Sequence, residues 1–199
     1  MLPPFSVFIA KFPNEFSCHH APKAVNESLC WWDAILAKSD CSQSLKPHQH
    51  IDPDLWVNAS TSWGIGIIYS SLWYAWALTP GWKVDGRDIG WAKSMVLELT
   101  VLILIDQNFQ DCSIVICSDN TGIISTYHKG RSRNIPHNNT ICRITSCSIP
   151  NNITIIPTYV ESLLNRADPI SRSILGLPHL CVVSPPALPL ELLGLLWNI

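Results

Sequence analysis

An α/β fold built on a mixed sheet, three antiparallel strands followed by strands in parallel with flanking helices, is what this sequence predicts. Two patterns carry the prediction. From Leu55 to Leu78 apolar residues recur with period two in short runs closed by turn residues, and from Arg87 to Gln107 they recur at helical spacing. A continuous apolar run, Ser113 to Cys117, follows that helix, and a strand, a crossover helix and another strand imply parallel pairing.

The elements follow in order. Glu27 to Lys38 is a helix candidate, with Leu29, Trp32, Ile35 and Leu36 at helical spacing inside an irregular lead-in, residues 1–50, rich in Pro, His and Cys. A strand runs through Asn58, a second covers Ile65 to Tyr69, Ser70-Ser71 makes a turn, and a third covers Trp73 to Leu78 before Pro80-Gly81. The Arg87–Gln107 helix has Asp88 in its first turn, where a carboxylate suits the helix dipole. Thr121 to Lys129 and about Asn138 to Ser146 are further helices, Ile153 to Tyr159 is a strand, and a short helix starts at Asp168-Pro169, because proline suits the first helical position. The order is βββαβααβα across residues 51–175. The tail, residues 176–199, is Pro-rich and apolar and reads as a linker or docking segment outside the core.

Composition limits the function. The 199 residues, 47% hydrophobic, suffice for one domain of about 100–150 residues with attached segments. A net charge of -2 excludes a globally basic nucleic-acid binder, so any such binding rests on a local cluster. Eight cysteines without regular spacing read as reduced thiols of an intracellular protein, cytoplasmic or nuclear. The longest apolar run, Met95 to Ile105, is interrupted by Glu98 and falls short of the roughly 20 residues a membrane span needs. The apolar start LPPFSVFIA lacks a basic leading region and holds two prolines, which argues against a signal peptide.

Three carboxylates stand where carboxylates are costly. Glu98 lies in the apolar stripe of Trp91, Met95, Leu102 and Ile105, and an ionised group there needs a partner: an arginine or a metal. Asp119 closes the strand SIVIC and precedes a helix, at the strand end where sites of open α/β sheets collect, although a helix N-cap is an equal reading. Asp168, before Pro169, is likewise a site residue or a cap.

The stretches WVNASTSWGIGI, WAKSMVLEL, ICSDNTG and LNRADPISR, in that order, resemble the ribonuclease H domain of fungal retroelement polyproteins of the gypsy and DIRS kind. The resemblance covers about Trp31 to Leu175, and residues 1–50 resemble the end of the reverse-transcriptase connection. It implies four carboxylates holding two Mg²⁺ (or Mn²⁺) ions that hydrolyse the RNA strand of an RNA–DNA hybrid, with the polymerase part of the parent polyprotein as a neighbour. Hard cations want oxygen ligands, and paired ions can activate water and stabilise the leaving oxygen together. Carried over by position, three carboxylates fall on Glu98, Asp119 and Asp168 and the first falls on Asn58, an amide that brings no negative charge. Asp54, on the same strand face but about 13 Å away, cannot replace it. Impaired catalysis is therefore expected, and a non-catalytic, repurposed nucleic-acid-binding or structural domain is the alternative. No YxDD-type polymerase signature occurs and no zinc-binding integrase head follows.

The segment HKGRSRN holds the densest basic cluster, Lys129, Arg131 and Arg133, and reads as a phosphate-contacting loop or as an ordinary solvated one. Trp63, Trp73, Trp76, Trp82 and Trp91 read mostly as packing. Cys18, His19, His20, Cys30, Cys41, Cys142 and Cys147 match no zinc spacing.

Overall fold

The structure, a computed structural model, describes residues 19–37, 49–132 and 134–199. The chain divides into two units, Met1–Gln43 and Ser44–Ile199. In the first the described element is helix α1, Lys23–Leu36. It starts four residues before the expected Glu27, and the expected last residue, Lys38, lies outside the described residues.

The second unit is built on a seven-stranded sheet. Its strands are β1, Gln49–Ile51; β2, Leu55–Ala59; β3, Gly64–Tyr69; β4, Leu72–Leu78; β5, Cys112–Ser118; β6, Ile153–Tyr159; and β7, Leu196–Asn198. Strands β2, β3 and β4 pair antiparallel in sequence, with Asn58 opposite Gly66. Strands β2 and β6 both run parallel to β5. Strand β1 shares β5 with β2: β1 pairs with its first half, Gln49 opposite Cys112, and β2 with its end, Val57 opposite Ser118. The spatial order is thus β6-β5-β2-β3-β4-β7, a three-strand meander joined to parallel strands, as expected.

What separates β1 from β2 is a local kink at Asp54, whose φ is 57°, a left-handed value that Asp tolerates. Its amide bonds the Asp52 carboxylate at 3.2 Å, a local turn, and its own carboxylate accepts from the Trp56 indole at 2.7 Å and from Arg166. Asp54 is thereby engaged away from the strand end.

Helix α2, Ile89–Asp106, covers one face of the sheet. Asp88 caps it, accepting the Trp91 amide at 2.8 Å. Apolar residues surround its axis, so it is buried nearly all round rather than along one stripe. Its Trp91, Met95, Leu99 and Ile103 pack with Val57, Ile65, Ile67, Trp76, Ile114 and Ile155 in the main core. Helices α3, Thr121–Lys129, and α4, Ile135–Ser148, follow β5 and pack on α2. Helix α4 begins three residues earlier than expected, because Asn134 caps it and Pro136 fits its first turn.

The opposite face is covered by the single turn α5, Asp168–Ser171, whose Ile170 packs with Trp56, Ile68, Trp73 and Ala75. Side chains of a strand alternate, so Val57 faces α2 while Trp56 and Asn58 face α5. The tail docks along β4: β7 pairs Ala77 with Trp197, and Leu192 and Leu196 enter the main core, which the expectation had placed outside it. Two three-residue strands at the ends of the unit, β1 and β7, thus join the sheet. No helix among the described residues is long and apolar enough to cross a membrane.

Candidate functional site

Parallel strands β2 and β5 end side by side, and α2, returning antiparallel to them, begins there. The first charged side chain on α2 is Lys93, its fifth residue. Glu98 lies five residues further on, about 7.5 Å along the axis and about 140° around it. The two take different partners, Lys93 the Asp119 carboxylate and Glu98 the Arg143 guanidinium.

The structure brings two of the four expected residues together, Asn58 and Asp168, and gives Asp119 and Glu98 partners of their own. Asn58, 4% exposed, donates through Nδ2 to Asp168 Oδ1 at 2.6 Å and to Ser171 Oγ at 3.3 Å. Its Oδ1 is buried without a partner. Asp168 also accepts from Arg172 Nε, at 3.0 and 2.9 Å. Asp119 accepts from Lys93 Nζ at 3.1 Å and from Ser162 Oγ at 3.0 Å. The Lys93 and Asp119 side chains are 18% and 7% exposed. Arg172 joins these two groups electrostatically: its pKa is raised by the bond to Asp168, by that carboxylate's charge and, more weakly, by Asp119.

Glu98 belongs to another layer. At 2% exposure it accepts a bidentate pair from Arg143 on α4, Nε to Oε1 at 2.6 Å and Nη2 to Oε2 at 2.8 Å. Burial pushes its carboxyl above the usual range, and the Arg143 bond and charge oppose that rise. The arginine-paired reading of Glu98 is the one the structure contains. Neither aspartate is an N-cap: Asn120 caps α3, accepting from Ile123, and Asp168 is the first residue of α5.

The donor set does not suit a pair of divalent cations. Such a pair needs carboxylates converging on one volume. Among the described residues no group of three or more His, Cys, Asp or Glu side chains could hold a metal. Each carboxylate already accepts from a protein cation, and the position expected to bridge two metals is a neutral amide.

Sequence reasoning missed Lys93. Periodicity places a residue around a helix axis but says nothing of its depth along it. The signal that could have found it is the antiparallel return of the crossover helix, which sets its first turns beside the strand ends.

Lys129 and Arg131, flanking the left-handed Gly130 that ends α3, are exposed, and Arg133 lies outside the described residues. Trp73, Trp76, Trp82 and Trp91 are buried as packing residues. Cys18 and Cys41 lie outside the described residues.

No family model and no curated protein matches the chain. Among solved structures it is similar to RNase H1 from the halophilic archaeon Halobacterium salinarum NRC-1, with a TM-score of 0.42 and 14% identity over 63% of this chain and 95% of that one. The sheet itself is mixed, a meander joined through a crossover helix to parallel strands.

Proposed function

We propose that residues 51–175 form an RNase H-like domain, retroelement-derived, that no longer hydrolyses RNA and serves as a nucleic-acid-binding module. The single observation that carries the loss of chemistry is the partition of its carboxylates: Asp119 holds Lys93, Asp168 holds Arg172, and Glu98 holds Arg143. The order of the four resembling stretches supports the retroelement origin. An RNA–DNA hybrid is the partner that origin suggests, with the polymerase part of a parent polyprotein beside it and the cytoplasm or nucleus as the place.

Cleavage of a labelled hybrid across a Mg²⁺ series tests the reading. The chain is expected to leave the hybrid intact, and Asn58→Asp alone is expected to restore nothing, because the added carboxylate finds Asp119 and Glu98 still occupied. Magnesium-dependent cleavage by the unaltered chain overturns the proposal.

Binding is carried by the exposed basic loop. Each phosphate contact contributes about -0.9 to the slope of log affinity against log salt on a duplex. Replacing Lys129, Arg131 and Arg133 together by Ala is expected to weaken hybrid binding at low salt and flatten that slope by about 2 to 3 units in all. An unchanged slope returns the loop to an ordinary solvated segment.

A further inference from the structure

The Lys93 ammonium stands 3.1 Å from Asp119 Oδ1, on an aspartate that is 7% exposed, at the end of β5. The other Asp119 oxygen accepts from Ser162, on the connection that leads from β6 to α5. Asp119 is therefore the knot joining three pieces of chain: the start of α2, the end of β5 and the segment that delivers Asp168. Joining separate segments through carboxylate oxygens is the structural work a bound cation performs, and there it couples folding to metal concentration.

We infer that Lys93 is a built-in cation: its ammonium takes over the charge-neutralising and cross-linking work of a metal at Asp119, so that the domain assembles without metal and excludes metal from this end of the sheet. The inference rests on the non-catalytic reading and adds what keeps the site closed. Charge balance supports it. Lys93 and Arg172 against Asp119 and Asp168 sum to zero, so no residual negative charge remains to attract a divalent ion. Reach supports it as well: an ammonium is a compact point charge on a flexible stem, and from the fifth residue of α2 it spans to the strand end with its own side chain 18% exposed. The orphaned Asn58 Oδ1 fits the same picture. It is an acceptor beside Asp168 that the single tethered cation, directed at Asp119, does not reach.

The test uses the full chain and Mn²⁺ as the probe, with uptake read from the electron paramagnetic resonance signal of free Mn²⁺ and stability from thermal unfolding. The unaltered chain and Lys93→Arg are expected to take up no Mn²⁺ and to melt at one temperature in chelator and in Mn²⁺. Lys93→Met and Lys93→Gln, which leave Asp119 without its cation, are expected to melt lower in chelator, to take up Mn²⁺ measurably where the unaltered chain does not, and to regain part of their midpoint when it is added. A neutral variant that folds only with Mn²⁺ supports the inference equally. Three results overturn it: Mn²⁺ uptake by the unaltered chain as tight as by Lys93→Met; neutral variants that fold, by circular dichroism, yet bind none; or neutral variants that stay unfolded even in Mn²⁺. Hybrid cleavage by the same unaltered protein separates the two readings, since cleavage overturns the proposed function, whereas Mn²⁺ uptake without cleavage overturns only the built-in cation.

Discussion

Replacing Arg143 by Met is expected to destabilise the domain by about 3–5 kcal/mol at neutral pH, the usual effect of leaving one member of a buried ion pair behind. Glu98 is 2% exposed, and among the described residues the cation bonded to it is the Arg143 guanidinium, which takes both of its oxygens. The pH dependence follows from the direction of its shift. Its carboxyl is already raised by burial, and the Arg143 bond and charge are what hold it down. Without them it rises further, so the folded variant holds a proton that the unfolded chain releases. Stability of the variant is therefore fullest below the ordinary carboxylate range and is lost as pH rises through the raised value. Denaturant midpoints measured from pH 4 to pH 8 should show the deficit of Arg143→Met widening with pH. The double change Glu98→Leu/Arg143→Met should recover most of the loss, because well-packed apolar residues often replace a buried pair at no net cost. A single variant as stable as the parent at neutral pH would mean that Glu98 reaches water, contrary to its burial.

The second large effect is expected at Gly66, opposite Asn58 in the β2–β3 register. A Cβ placed there would lie 2.7 Å from the Ala167 carbonyl oxygen, 2.7 Å from the Ser171 amide nitrogen and 2.9 Å from Ile170 Cβ. That oxygen and that nitrogen are the two ends of the hydrogen bond that closes α5. Backbone cannot step aside as a flexible side chain can, so Gly66→Ala should cost at least the upper part of the roughly 1–3 kcal/mol typical of overpacking. It should also lift α5, and Asp168 with it, away from Asn58. A double-mutant cycle reads this directly: the loss on Asn58→Ala should shrink when Gly66 is already Ala. Strict additivity would show that α5 stays seated and that the glycine is dispensable.

How far the sequence was legible depends on where each element's stability comes from. Strands β2 to β4, helix α2, strand β5, helix α3 and strand β6 carry their own period or apolar run, and each is readable within a residue or two. Strands β1 and β7 have three residues apiece, QHI and LWN, and exist because β5 and β4 offer them a free edge. Nothing local distinguishes them from loop. Helix α4 opens before the expected Asn138, where Asn134 supplies the cap and Pro136 fits the first turn. At the site, the residues alone left Asp168 as a site residue or a cap, and only the resemblance set it beside Asn58, whose amide donates to it in the structure. The partners of Glu98 and Asp119 were not legible. They are long cations, Arg143 and Lys93, whose reach depends on helix packing and on depth along α2, and a one-dimensional period carries neither.

Strand β7 has one further consequence. By pairing with Trp76, Ala77 and Leu78 it occupies the outer edge of the meander, and Leu192 and Leu196 are buried in the main core. A protein cut back to residues 51–175 keeps every residue of the candidate site yet bares a row of amides and carbonyls on β4, next to Trp76 and Tyr74. Such an edge is a template for a second chain. The Pro-rich tail covers that edge, and its removal is expected to make the meander prone to self-association, read as a concentration-dependent rise in mass on size exclusion.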